Sequence, residues 1–264
     1  MDILRRSLAP VSDQAWEEIN EEARETIETA LSARRFVDVE GPKGLDFAAV
    51  PLGKLNVPAR QNKKEVQYGV HQLLPVIEAR IPFELDIWEL DNMARGNEDI
   101  DLDNVQEAAL KMAEFEEKAI YHGFKQGNIE GLMNSSEHSD MELPEDINML
   151  VEQLSKAIVT FRKKGVHGPF HFVVGPAIYQ KINSHMKGYP LRKQVEKTIE
   201  GDIILAHGIE NALLVSAEDG NFRLSLGQDF AVGYESHNNK KVQLYLTESF
   251  TFQVLDPAAL MVFK

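Results

Sequence analysis

The sequence contains no cysteine, and this absence excludes several kinds of chemistry. Without thiols there is no disulfide framework, no thiolate metal site and no cysteine nucleophile. A cysteine-free chain fits a reducing compartment, so we expect a cytoplasmic location. Long apolar runs are also missing, since no stretch approaches the ~20 residues of a membrane-spanning helix. The first residues include Arg5 and Arg6 without a long apolar run after them, which predicts that they are not a secretory signal.

Positive charge is scarce relative to negative charge. The 264 residues include 42 acids against 28 lysines and arginines, which gives a formal net charge of −14. A chain this acidic is a poor general binder of nucleic acid, because that affinity depends on cationic contacts to phosphate. The charge therefore counts against a genome-packaging protein, although it is compatible with attraction of metal cations. The hydrophobic fraction of 43% is enough to fill the core of one large domain or two smaller ones.

Catalytic signatures are absent as well. The sequence has no Walker A motif, no G-x-G-x-x-G after a predicted strand and no G-x-S-x-G elbow. In the acid-rich helix near residue 115, the spacing of Glu117 and His122 puts them on different faces, which favours a solvated or interface helix over a ferritin-like iron site. The polar stretch 138–142 is predicted to be a mobile surface loop and not a metal cluster. We therefore predict no catalytic residues and no metal site, as in a structural or interaction protein.

Hydrophobic periodicity predicts a mixture of helices and strands. Amphipathic spacing indicates helices at 12–31, 86–95, 102–121, 144–163, 176–185 and 191–200. Alternating or continuous apolar runs indicate short strands within 36–57 and further strands at 76–85, 170–174, 203–205, 212–216, 222–227, 231–234, 242–247 and 251–255. This order lacks the regular strand–helix alternation of a doubly wound fold, so the predicted class is α+β.

The stretch 33–44 joins the first predicted helix to a long extended arm at 45–80. The arm is rich in turn-forming and extended residues, including Pro51, Pro58 and Pro75. It has too few clustered apolar residues to form a core of its own, so we expect it to pack on a neighbouring subunit. The strand that follows contains Pro82, which places that strand at a sheet edge or at a bulge because proline cannot donate to the ladder.

Six short motifs together resemble type 1 encapsulin shell proteins. They are RRFVDVEGP at 34–42, WELDN at 88–92, GYPL at 188–191, LGQD at 226–229, GYE at 233–235 and TESFTFQV at 247–254. The resemblance covers essentially the whole chain and implies an α+β class with the HK97-like fold of major capsid proteins. It implies an N-terminal helix and the start of the P-domain at 1–45, an E-loop at 46–80, the P-domain with its spine helix at 81–135, an A-domain at 136–234 and C-terminal P-domain strands at 235–264.

The function implied by this resemblance is containment. Identical subunits would close into an icosahedral encapsulin nanocompartment of about 60 copies or more. The shell would enclose a cargo enzyme recruited by a C-terminal targeting peptide, such as a ferritin-like iron-storage protein or a dye-decolorizing peroxidase. No nucleic acid or membrane partner is expected. A viral major capsid protein shares the fold but is disfavoured by the acidic charge, and a protease or bacteriocin is disfavoured by the lack of a nucleophile–base pair.

The resemblance also implies three sets of site residues. A cargo-peptide site on the inner face, with apolar side chains for aliphatic residues and charged ones for peptide charges, would include Ile27, Leu31, Arg34, Phe36, Asp38, Val39, Val232, Tyr234 and Phe252. The alternative for the apolar members is ordinary core packing. A five-fold pore would include His185, Met186, Lys187, Gly188 and Tyr189, with a solvated loop as the alternative. No cofactor is required, but a flavin could stack on Trp88, for which partly buried packing is the favoured alternative.

Overall fold

Seven α-helices and ten β-strands make up the residues that the computed structural model describes, which are 3–62, 64–97, 99–185 and 188–264. The helices are α1 Asp13–Ala30, α2 Ile87–Ala94, α3 Asp103–His122, α4 Leu132–Ser135, α5 Leu150–Lys163, α6 Pro176–Ser184 and α7 Leu191–Ile199. The strands are β1 Asp38–Glu40, β2 Ala49–Asn56, β3 Val70–Pro75, β4 Ile77–Asp86, β5 Phe170–Val174, β6 Ile203–Leu205, β7 Ala212–Ser216, β8 Phe222–His237, β9 Lys241–Val254 and β10 Leu260–Phe263. Among the described residues, none of the helices has both the length and the apolar character of a membrane span.

The helix ends follow local capping chemistry. The Ser12 hydroxyl accepts a hydrogen bond from the Ala15 amide at 3.3 Å and so begins α1. Its apolar stripe, including Trp16, is buried as the spacing predicts. The predicted start of α5 at residue 144 is wrong, because Asp146 caps a 3₁₀ turn at Ile147–Met149 and the α-helix begins only after it.

The first sheet has the order β1-β8-β9-β4. β4 lies at its edge, so the prediction made from Pro82 is confirmed. The predicted breaks within 222–234 and 242–255 are wrong, since β8 and β9 each continue as one long strand. Register shifts between Leu226 and Ala231 accommodate the extra residues, because a bulge bends a strand without ending its ladder.

The second sheet has the order β10-β7-β5-β6. β5 and β7 are buried over almost their full length, as their continuous apolar runs predict. β10 was not predicted; it pairs antiparallel with β7, with Leu260 opposite Val215. The C-terminal segment 235–264 is therefore divided, because β9 belongs to the first sheet and β10 to the second. The predicted domain boundaries otherwise stay predictions.

Two hydrophobic cores are present among the described residues, and α3 contributes to both. One core joins the second sheet, α5, α6, α7 and the C-terminal half of α3 to the first part of β8 and the last part of β9, with Phe222, Leu224 and Phe252. The other joins α1, α2 and the N-terminal half of α3 to one face of the first sheet. α3 thus connects the two cores along its length, and the segment after α1 crosses it at the boundary.

The arm between β1 and β4 is the least buried part of the described chain. β2 and β3 pair only with each other, as a two-stranded ribbon. Its exposed apolar side chains include Leu45, Leu52, Leu55, Val57, Val66, Tyr68, Val70 and Leu73. A two-stranded ribbon is marginally stable alone, and so large an apolar surface indicates a protein contact. The prediction of an extended arm without its own core is confirmed.

Candidate functional site

A groove of about 530 Å³ lies between α1 and β8. Its α1 side includes Ala23 and Ile27, and Leu31, the residue that follows the last residue of α1, also lines the groove. The β8 side is the stretch 229–232, next to a shift in the pairing register with β9. The groove therefore has an apolar floor with charged side chains at its rim.

Four of the nine residues predicted for the cargo-peptide site line this groove, namely Ile27, Leu31, Arg34 and Val232. The other five lie elsewhere. Phe36 packs between Tyr121 and Phe222 in the first core, and Phe252 is 1% exposed in the same core. The Asp38 carboxylate accepts a hydrogen bond from the Gly220 amide at 2.6 Å. Val39 is exposed on β1, and the Tyr234 hydroxyl contacts His237.

Arg34 is held by three carboxylates of its own chain. Its Nε lies 3.0 Å from Glu116 Oε1, and its Nη2 contacts both Glu116 Oε2 at 2.5 Å and Glu248 Oε1 at 2.8 Å. Its Nη1 donates to Asp229 Oδ1 at 3.0 Å. The guanidinium also lies over the Phe230 ring, 4.7 Å from its centroid. Most of its donors are therefore committed to the fold, which leaves little capacity for a peptide carboxylate.

The electrostatics of this cluster depend on its burial. The side chains of Glu116 and Glu248 are fully buried, whereas 44% of the Asp229 side chain is exposed. Burial and the neighbouring Glu116 carboxylate raise the pKa of Glu248 well above its usual range. Although burial opposes the charge of Arg34, the hydrogen bonds and charges of Glu116, Glu248 and Asp229 raise the pKa of Arg34. Arg34 is therefore a permanent cation, and the acids around it share its charge.

Glu117, the next residue of α3, anchors the segment that leads out of α1. Its carboxylate accepts hydrogen bonds from the Ser32 amide at 3.0 Å, the Ala33 amide at 2.8 Å and the Ser32 hydroxyl. The Ser32 hydroxyl also contacts the hydroxyl of the buried Tyr121 at 2.7 Å. Burial raises the pKa of Glu117, although these hydrogen bonds act in the opposite direction and lower it. Two adjacent acids of α3 thus fix the linker Ser32–Arg34 beside the groove.

The interpretation of the acid-rich helix as solvated is wrong for Glu116 and Glu117, since both are buried. A signal for this was present in the sequence. Ala109, Met112 and Ile120 form the apolar stripe of α3, and both acids fall within it at spacings of three and four. Acids within an apolar stripe need a buried partner, and Arg34 and the Ser32 backbone supply it.

The predicted pore residues lie at the end of α6 and just beyond it. His185 follows the last residue of α6, Gly188 adopts a positive φ of 75° and Tyr189 is exposed. Met186 and Lys187 lie outside the described residues. A positive φ suits a tight turn at a loop tip. The pore assignment stays a prediction.

Trp88 and the 138–142 stretch both differ from expectation. Trp88 is 71% exposed near the start of α2, so the expected partial burial is wrong. His138 is not in a loose loop, because its Nε2 contacts the Ala258 carbonyl oxygen at 2.8 Å and its ring packs against Phe161. Among the described residues, no group of three or more His, Asp or Glu side chains is arranged to hold a metal ion.

Comparison with known proteins places this architecture in context. Residues 1–251 match the Linocin_M18 family model, described as "Encapsulating protein for peroxidase". A type 1 encapsulin shell protein of Rhodospirillum rubrum is 40% identical, with 98% of this chain and 95% of the relative covered. A virus-like particle from Pyrococcus furiosus has a TM-score of 0.69 at 14% identity, covering 94% of this chain and 98% of that one. The capsid of Myoviridae phage XM1 has a TM-score of 0.53 at 13% identity, covering 89% and 92%.

The two sheets, the exposed arm and the structural likenesses define an HK97-like capsid fold. The family model and the curated relative show that the chain is a shell subunit and not an enzyme. The likeness to the phage capsid extends to the fold alone at this identity. Within that class, the chain belongs to the type 1 encapsulin shell proteins, which form capsid-like compartments.

Proposed function

We propose that this shell recruits a cargo enzyme through a targeting peptide that binds the groove between α1 and β8. The observation that carries the proposal is the groove itself, with an apolar floor that includes Ile27 and Val232. Its volume of about 530 Å³ suits a few aliphatic side chains of an extended segment. Arg34 serves chiefly to shape the groove, because three carboxylates of its own chain already neutralise its charge.

The cargo class proposed first is a peroxidase, supported by the description of the matching family model. A ferritin-like iron-storage protein is the second candidate, supported only by the resemblance of the sequence. The proposed shell contains about 60 subunits or a larger icosahedral number, since identical chains close by point-group symmetry. We place the shell in the cytoplasm, a proposal that rests on the absence of cysteine.

The substitution Leu31→Glu tests the groove. Leu31 is half-buried on its wall, so a carboxylate there removes apolar contact and leaves a charge facing the peptide. Loss of one aliphatic contact is worth ~1.5 kcal/mol or more, which predicts at least a tenfold decrease in peptide affinity. We expect closed shells that co-purify with much less cargo, measured by quantitative mass spectrometry.

Leu110→Glu provides the matched control. Leu110 is 44% exposed on α3 and lies outside this groove. It should leave the cargo content unchanged. If the Leu31→Glu and unsubstituted shells contained equal amounts of cargo, the groove would not be the peptide-binding site.

A flavin site at Trp88 is a second candidate, favoured by the exposure of that indole. The exposed indole could stack on an isoalloxazine ring. Asp86 fixes the start of α2, because its carboxylate accepts a hydrogen bond from the Trp88 amide at 2.9 Å. We expect Trp88→Ala to reduce the flavin fluorescence of purified shells by more than half, whereas Tyr189→Ala, at another exposed aromatic residue, should not. Unchanged flavin content in the Trp88→Ala shells would contradict the site.

A further inference from the structure

The buried carboxylates under Arg34 have a role beyond packing. Glu116 reaches Arg34 from α3, Glu248 from β9 and Asp229 from β8, so three separate elements converge on one side chain of the linker after α1. Glu116 and Glu248 contact the same nitrogen, Nη2, and are therefore neighbours. Glu116 and Glu248 are fully buried, whereas Asp229 is partly exposed, and a single guanidinium cannot neutralise all three carboxylates; this favours retention of a proton by Glu248.

We propose that Glu116 and Glu248 are positioning residues of the groove, in which Glu116 holds Arg34 in place while the buried Glu248 retains a proton, and that loss of the Glu248 proton at alkaline pH loosens the groove wall. The importance of that wall for cargo rests on the proposed peptide site, but the proton-dependent latch is testable without cargo. Glu248 carries the proton. Glu116 takes the two-nitrogen contact with Arg34, whereas Glu248 accepts through Oε1 and leaves Oε2 buried without a hydrogen-bond partner.

The charged groups around the pair support this assignment. The linker contributes Arg34 and the exposed Arg35. Glu117 of α3 contacts Ser32, and Asp229 of β8 contacts Arg34. On the α1 side of the groove, Arg24 forms ion pairs with Glu21 and Glu28. From β4, the residue opposite Glu248 is Ala79, which does not titrate. Among these cations, Arg34 contacts both buried acids, whereas Arg24 pairs with exposed acids and Arg35 is itself exposed.

The sign of the pH effect follows from the direction of the shift. The pKa of Glu248 is raised in the folded chain relative to the unfolded chain, so its contribution to stability is present at low pH and is lost as pH rises through the folded value. The pKa of Glu117 is also raised in the folded chain, so its contribution to stability is likewise lost as pH rises. Alkaline solution should therefore destabilise the folded subunit, and we expect the linker held by Arg34 and Glu117 to open more often.

The test combines melting temperature and hydrogen exchange of assembled shells between pH 6 and pH 10. The variant E248Q retains a carbonyl acceptor for Arg34 and gains an N–H donor for Glu116, but it cannot titrate. We expect the melting temperature of the unsubstituted shell to fall with pH, and that of E248Q to fall less. After correction for intrinsic rates, the amides of Arg35, Phe36 and Val37, which bond to Ser32 and Ala33, should exchange faster in the unsubstituted shell at pH 9. One released proton changes an opening equilibrium about tenfold per pH unit.

A second variant separates the latch from a purely structural role. E116Q should also flatten the pH dependence, because removal of the Glu116 charge leaves Glu248 alone beside Arg34 and removes one cause of its raised pKa. The double variant E116Q/E248Q should lower the melting temperature at every pH. E78Q, a substitution of an exposed acid on β4, is the control and should follow the unsubstituted curve. Parallel pH profiles for the unsubstituted, E248Q and E116Q shells would overturn the latch, whatever the outcome of the cargo experiments.

Discussion

Deletion of residues 55–68 from the arm is expected to abolish closed shells while leaving the remainder of the chain folded. The removed segment carries exposed apolar side chains including Leu55, Val57, Val66 and Tyr68, and Val66 is 90% exposed. None of these belongs to either core. If each is buried against a neighbouring subunit, each contributes about 1.5–3 kcal/mol to that contact. Their joint loss at every interface should leave small assemblies, detected by size-exclusion chromatography and electron microscopy.

A matched pair of substitutions separates apolar contact from arm length. Leu55→Ser with Val66→Ser removes two exposed apolar side chains and should reduce the yield of closed shells. Lys54→Ser with Glu65→Ser alters two exposed polar neighbours of the same ribbon and should preserve shells. Far-ultraviolet circular dichroism should show that each variant remains folded. Closed particles from the deleted chain would contradict the role given to the arm.

Arg34→Ala is expected to destabilise the subunit strongly. The substitution leaves Glu116 and Glu248 buried without their cation, and removal of one partner from a buried ion pair costs about 3–5 kcal/mol. For a chain of this size we expect a decrease in melting temperature on the order of 10 °C. A peptide-contact role for Arg34 alone predicts a different result, namely reduced cargo with an unchanged melting temperature. Differential scanning fluorimetry of empty shells distinguishes the two.

Arg24→Ala is the control for this experiment. Arg24 lines the same groove, but its ion pairs with Glu21 and Glu28 are exposed to solvent. Solvent-exposed pairs contribute little to stability, so the melting temperature should change only slightly. Similar melting temperatures for Arg34→Ala and the unsubstituted shell would show that the buried acids do not depend on Arg34.

The regular elements were predictable because their signals are local. The apolar stripe and Ser12 cap define α1, and the continuous apolar run defines β5. The breaks predicted near Gly227 were wrong, because a glycine and polar residues in a strand mark a bulge as readily as a turn. β10 was missed, and its pairing with β7 is a long-range contact that no local pattern records.

The candidate site was only partly predictable for the same reason. The helix period places Ile27 and Leu31 on the apolar stripe of the first predicted helix, but their assignment to the site, like that of Val232, came from the family resemblance. The partners of Arg34 lie 82 and 214 residues further along the chain, on α3 and β9, and no local pattern links them. Without those partners Arg34 resembles a solvent-facing ligand contact, whereas the structure shows a side chain committed to internal acids.

The most direct test of the central claim is cryo-electron microscopy of shells isolated with their native cargo. The shell should be closed and hollow, built from subunits with this fold. An additional extended density should occupy the groove between α1 and β8, in contact with Leu31 and Val232. A closed shell with cargo density bound elsewhere, with this groove empty, would contradict the claim, as would a lumen filled with nucleic acid.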